Sequence, residues 1–304
     1  MIGTFSSIFD LQKTFPDEQS CIDHLEKIRW NGNVVSPYDE NSKVYKCKGN
    51  KYKCKTTGQY FNVKTDTIFG DTKIPLIKWF MALYIFSSHK KGISSHQLAR
   101  DISITQKSAW FMLHRLRFAF AHPAFREIMG NPVEIDETYI GGKDINKHGK
   151  KLDMQKKGTG STNKTAVFGM LEREGNVQMQ VVSRVDGVGL KPIIYEAVPV
   201  GTTIITDGYG AYKDLNKHYN HEIVAHSNKE YVRGEFHTNN IEGAWSQLKR
   251  GIYGIYHSAS PKHLQRYCHE FALRYNTRKT DTQSRFDLIL SNMVGRLTYK
   301  KLIA

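Results

Sequence analysis

Cysteine is scarce in this chain: Cys21, Cys47, Cys54 and Cys268 are the only four among 304 residues. That is too few for a disulfide scaffold at this length and fits free thiols in a reducing compartment. Long apolar runs are also missing. The most apolar stretch, Ile74 to Phe86, is interrupted by Lys78 and falls short of the roughly 18 residues a membrane-spanning helix needs. Neither a signal peptide nor a basic amphipathic anchor can be read, so a cytoplasmic protein without a membrane partner is expected. Acid is in deficit, with 29 Asp and Glu against 44 Lys and Arg, a net charge of +15. Such a balance favours a polyanionic partner, nucleic acid foremost. The length exceeds what one hydrophobic core usually serves and implies two or three domains.

What is present changes character along the chain. Residues 1–70 read as a small β module rich in Lys, Asn, Tyr and Gly from Trp30 to Thr67, with a hairpin in which Lys51–Cys54 and Tyr60–Val63 flank a turn at Thr57-Gly58. Its polarity predicts one exposed face. Residues 71–122 turn helical. Leu76, Phe80, Leu83 and Tyr84 form one stripe behind Pro75. Ser94 with Gln97 marks the start of a short helix, and Thr105 after a turn at 102–104 caps a second. The second carries Gln106, Lys107, His114, Arg115 and Arg117 between its apolar positions. Helix, tight turn and basic helix is the helix-turn-helix plan, and those five residues are the expected DNA-reading face.

Beyond Pro123 the pattern is α/β. Strands are predicted at Val133–Ile140, Thr165–Glu172, Val177–Val185, Thr203–Thr206 and around Ile223–His226, with a helix over Leu190–Ala197 and helices from Asn239 onward. The lysine-rich stretch 143–164 reads as a mobile loop suited to phosphate contact. Three strands, a helix, a strand, a helix and a strand, then a carboxylate-bearing helix, is the order of a ribonuclease-H-like α/β domain. It is expected over 123–285, followed by a tail at 286–304.

Three acids stand where such a domain needs them. Phosphodiester transfer by a hydroxyl nucleophile uses two divalent ions about 3.5 to 4 Å apart, and hard Mg²⁺ (or Mn²⁺) prefers carboxylate oxygens. Asp136 lies within the first strand, shortly before Gly141-Gly142. Asp207 ends an apolar strand, and Gly208 follows it. Glu242 falls in the first turn of a helix with an apolar stripe of Ile241, Trp245, Leu248 and Ile252. Lys249, two turns on and roughly 10 Å along the axis, shares the face of Glu242 and suits a DNA phosphate. Each acid alone has an ordinary alternative: Asp207-Gly208 is a turn dipeptide and Asn239 with Glu242 a capping pair.

The blocks Asp136-Glu137-Thr138-Tyr139-Ile140-Gly141-Gly142-Lys143, Thr206-Asp207-Gly208-Tyr209-Gly210-Ala211-Tyr212 and His237-Thr238-Asn239-Asn240-Ile241-Glu242, with 34 residues between Asp207 and Glu242, resemble bacterial insertion-sequence transposases. The resemblance is to the group with an N-terminal zinc ribbon, a helix-turn-helix and a DDE domain. It implies strand cleavage and transfer at an element's terminal inverted repeats, double-stranded DNA as partner, and a homodimer or larger assembly on paired ends. It also implies that Asn can take the third metal position, so Asn239 competes with Glu242 there. The chain departs from the group's ribbon pattern. Where two Cys-x-x-Cys pairs are expected it has Ser36-Pro37-Tyr38-Asp39 and Cys54-Lys55-Thr56-Thr57, so the module is expected to fold without zinc. Gly251 to His257 is expected to form a turn and a DNA-facing loop after the catalytic helix.

Overall fold

The computed structural model describes residues 5–121, 129–130, 132–141, 164–224 and 234–304. The chain divides into two compact units, one of Met1–Ala124 with Lys279–Ala304 and the other of Phe125–Arg278.

The first unit begins with helices α1 (Ile8–Thr14) and α2 (Glu18–Trp30), each started by a reciprocal capping box, at Ser7/Asp10 and Asp17/Ser20. A three-stranded antiparallel sheet follows, of β1 (Val44–Cys47), β2 (Lys51–Cys54) and β3 (Tyr60–Phe61), with β2 in the centre. Alternation puts Tyr52, Cys54 and Phe61 inside, with Tyr52 and Phe61 against Trp30. Helices α3 (Leu76–Ser88), α4 (Ser95–Asp101) and α5 (Gln106–Ala119) complete the N-terminal part. The Ser94 hydroxyl accepts the Gln97 N–H at 3.1 Å and the Thr105 hydroxyl the Ser108 N–H at 3.2 Å, which fixes where α4 and α5 start.

The second unit is a five-stranded mixed sheet flanked by helices. Its strands are β4 (Val133–Ile140), β5 (Thr165–Glu172), β6 (Val177–Val182), β7 (Thr203–Thr206) and β8 (Asn220–Ile223), in the order β6-β5-β4-β7-β8. The first three are antiparallel neighbours, and β7 joins β4 in parallel, as β8 joins β7. Helix α6 (Gly187–Ala197) covers one face, where Val133, Ile135, Phe168, Met170, Leu190 and Ile194 form a core. Helices α7 (Asn239–Gly251) and α8 (Pro261–Asn276) cover the other, against Ile140, Val167, Leu171 and Met179. The strand expected around Ile223–His226 lies earlier, at Asn220–Ile223. Instead of a turn, Ile252–Tyr256 continues α7 as a π-helical segment with Ile252 buried. Apolar Ile252 extends the buried stripe of α7, and burying it outweighs opening the chain into a loop.

The C-terminal residues are not a separate tail. Helix α9 (Thr282–Ser291) brings Phe286 into an aromatic cluster with Phe5, Phe15 and Phe80, at ring distances of 5.2 to 6.5 Å. Helix α10 (Tyr299–Ile303) brings Tyr299 to 5.4 Å from Phe111, and Lys301 lies over Phe118. This packing corrects the expected DNA face of α5. His114, Arg115 and Arg117 are buried, at 0, 4 and 1% exposure. Arg115 donates to the carbonyls of Ile68, Gly70 and Leu297, tying three chain segments together. Of the five residues, Gln106 and Lys107 remain exposed. No helix among the described residues is long and apolar enough to cross a membrane.

Candidate active site

The alternation of β4 decides which of its acids meet. Asp136 faces α7 together with Glu134, whereas Glu137 faces the opposite side, where the Tyr212 hydroxyl donates to its Oε1 in a short contact. Along the parallel pair β4 and β7, Val133 is level with Ile204 and Glu134 with Ile205. The same offset brings Asp136 level with Asp207, just past the end of β7. There the Asp207 carboxylate accepts the Tyr209 N–H at 3.0 Å. Gly208 turns the chain with φ of +83°, and a Cβ at that position would meet Ile223 Cγ2 at 2.9 Å.

Glu242 enters from α7. That helix buries Ile241, Ala244, Trp245 and Leu248, which leaves Asn239 and Glu242 exposed and Lys249 half-buried along another face. Its N-terminus has no side-chain cap of its own at Thr238. Glu134 takes over the task from β4: its fully buried carboxylate accepts the N–H groups of Asn240 and Ile241 at 3.0 and 3.1 Å and the Asn240 side-chain amide at 2.8 Å. Arg173 adds an ion pair at 3.3 Å. Asn239 is therefore the first residue of the helix and not its cap. Sequence reasoning missed Glu134, although an acid in the middle of a buried strand is the signal that points to it.

One further contact sets Asp136. The Trp245 indole N–H donates to its Oδ2 at 2.9 Å. Gly169 on β5 pairs with Asp136 across the sheet and makes room for the indole, since a Cβ there would lie 2.4 Å from the ring. Burial pushes the Asp136 carboxyl above its ordinary range. The Trp245 bond opposes that shift, while the charges of Asp207 and Glu242 add to it. Burial also raises Glu137, to about 7, with Asp136 and Asp207 contributing and Tyr212 opposing. The three acids named from sequence thus act on one electrostatic environment. As a donor set they suit a hard divalent cation, which would relieve their mutual repulsion. Among the described residues no three acid, His or Cys side chains converge closely enough to clasp an ion as they stand.

At the ribbon positions the structure assembles a different donor set. Burial raises the Cys54 thiol, but hydrogen bonds from the hydroxyls of Ser36, Ser42 and Thr57 outweigh it and bring it to about 6. One thiol among hydroxyls does not fit the four N or S ligands of a structural zinc site. The stretch 143–163 lies outside the described residues, so its expected phosphate contacts have no structural counterpart here.

Comparison with known proteins agrees with these blocks. A protein of Halobacterium salinarum, described as an uncharacterized protein in transposable element ISH50, is 28% identical over 276 residues, covering 86% of this chain and 92% of that one. A crystal structure of a pre-cleavage Mos1 transpososome aligns with 68% of this chain and 78% of that one at 11% identity, but its TM-score of 0.18 supports nothing about the fold. A family model, the ISXO2-like transposase domain, matches residues 128–276, the span that holds Asp136, Asp207 and Glu242. Residues 128–276 thus match the domain model of ISXO2-like transposases, and the chain is similar over most of its length to a protein of a transposable element.

Proposed function

We propose that the second unit is the ribonuclease-H-like catalytic domain of a DDE transposase, with Asp136, Asp207 and Glu242 as the ligands of Mg²⁺ or Mn²⁺. The observation that carries this reading is the charge influence on Asp136 of β4 from Asp207, just past the end of β7, and Glu242, in the first turn of α7, which adds to burial in holding Asp136 above its ordinary range. Such an arrangement destabilises the chain alone and becomes favourable with a divalent cation. The strand order, three antiparallel strands extended by two parallel ones, supports the domain assignment.

Asp136, Asp207 and Glu242 would hold the ions, whose chemistry would be to activate a water or 3′-hydroxyl and to steady the leaving oxygen. The chain's own groups do the rest. Trp245 orients Asp136, Glu134 holds α7 against β4, and Lys249 supplies a cation for a neighbouring phosphate. Glu242 is favoured over Asn239 as third ligand because its charge offsets that of the metal and already acts on Asp136. Helices α4 and α5 serve as the helix-turn-helix, reading element ends through the exposed Gln106 and Lys107, and the chain works as a dimer or larger assembly on paired ends.

The test is cleavage of a duplex carrying the element's inverted repeat, with Mg²⁺ and with EDTA. Cleavage and joining by the native chain in Mg²⁺, and neither by Asp136→Asn or Asp207→Asn, is expected. Joining by either variant overturns the site. Binding without cleavage by the native chain would instead identify an inactive DNA-binding regulator.

A further inference from the structure

We propose that the outward face of the β1–β3 sheet is a separate, sequence-independent grip on the backbone of duplex DNA. This inference rests on the reading of DNA as the substrate and adds a surface that the catalytic site and the α4–α5 pair do not include. Residues 41–61 contain six lysines and no Asp, Glu or Arg. Alternation sends Tyr52, Cys54 and Phe61 inward, so Tyr45, Lys51, Lys53 and Tyr60 point outward, with Lys43 and Lys55 beyond the strand ends on the same parity.

The register makes this a built surface. Tyr45 is opposite Lys53, and Lys53 opposite Tyr60, giving a row of tyrosine, lysine, tyrosine across all three strands. The Lys53 ammonium stands 5.5 Å from the Tyr60 ring centre and that of Lys43 5.5 Å from the Tyr45 ring. Both rings are exposed, at 43 and 58%. Lys43 and Lys55 are joined by a backbone hydrogen bond of 3.0 Å between adjacent strands, which sets two like charges side by side.

Such pairing opposes folding of the sheet, and no acid in these strands offsets it. Edge protection does not explain it either. Lysines that guard against edge-to-edge association belong on outer strands, whereas Lys51 and Lys53 sit on the central one. A polyanion offsets the repulsion, and tyrosines between ammonium groups offer flat contacts to the sugars.

The experiment measures affinity of the full chain for a labelled duplex of unrelated sequence over a salt series. The native chain is compared with Lys43/Lys53/Lys55→Ala and with Tyr45/Tyr60→Ala. Removing three phosphate contacts lowers the slope of log affinity against log salt by roughly 2.5 to 3. The tyrosine variant is expected to bind several-fold more weakly with the slope unchanged. Melting of the lysine variant should stay level or rise, because like-charge repulsion is removed. An unchanged slope in a folded lysine variant overturns the proposal, and so does tighter binding of a single strand than of duplex. Cleavage is scored separately at the inverted repeat. A chain that cuts, but whose lysine variant keeps the native slope, loses only this face, whereas a chain that grips duplex here without cutting loses only the catalytic reading.

Discussion

The indole N–H of Trp245 donates to the carboxylate of Asp136 at 2.9 Å, joining the middle of α7 to the middle of the central strand β4. The bond supplies a donor to a carboxylate that burial holds above its ordinary range, and it fixes the Asp136 side chain relative to the helix that bears Glu242. Trp245→Phe keeps most of the buried ring and removes the donor. Asp136 then rises further, and the pH profile of strand cleavage moves to more alkaline values. Stability falls by about 1 to 3 kcal/mol, the worth of a hydrogen bond to a charged group. A pH–rate profile and urea unfolding check both, and an unshifted profile removes the link.

Gly169→Ala tests the same contact from across the sheet. The new Cβ lies 2.4 Å from Trp245 Cη2 and 2.5 Å from Cζ2, so the ring must move. Overpacking of this kind costs about 1 to 3 kcal/mol. Activity should drop along with stability, and indole fluorescence reports the displaced ring. Native fluorescence and native stability together would refute the close approach.

Glu134 predicts a split between two variants. Glu134→Ala strips the N-terminus of α7 of its acceptor and leaves Arg173 without its carboxylate, which costs about 3 kcal/mol or more. Glu134→Gln keeps one acceptor oxygen and loses less. Equal loss in both, measured by denaturant unfolding, would show that volume and not hydrogen bonding matters there.

Glu137 predicts a pH dependence. Its folded value of about 7 stands above the ordinary 4.5. The protonated form is therefore favoured by folding, and the contribution is fully present below about pH 4.5 and declines as pH rises towards 7 and beyond. The whole decline is up to about 3 kcal/mol. Without divalent ions, Glu137→Gln should match the native chain at pH 4.5 and exceed it in stability at pH 8. A constant difference between the two across that window would count against the assignment.

Arg115 and Lys107 separate structure from binding. Arg115→Ala leaves the carbonyls of Ile68, Gly70 and Leu297 without their shared donor and is expected to lower stability by about 3 kcal/mol. Lys107→Ala, at an exposed position, should leave the melting temperature unchanged and weaken DNA binding. Reversal of the two effects would restore Arg115 to the DNA face.

Periodicity and capping by themselves determined most element starts in this chain. Ser94 and Thr105 begin α4 and α5, and the stripe of Ile241, Trp245, Leu248 and Ile252 is the buried face of α7, because capping and alternation are local interactions written within a few residues. The order of the three acids was legible for the same reason, since the family's motifs are contiguous. Tertiary structure alone decided the rest. The arginines of α5 look like a DNA face until residues 295–301 fold back over it. Glu134 looks like a neighbour of Asp136 until α7, more than a hundred residues later, sets its N-terminus on that carboxylate. Gly169 carries no signal until Trp245 lies against it. Long-range packing chooses among partners that local sequence cannot compare, and in this protein it chose the ones that hold Asp136 beside α7.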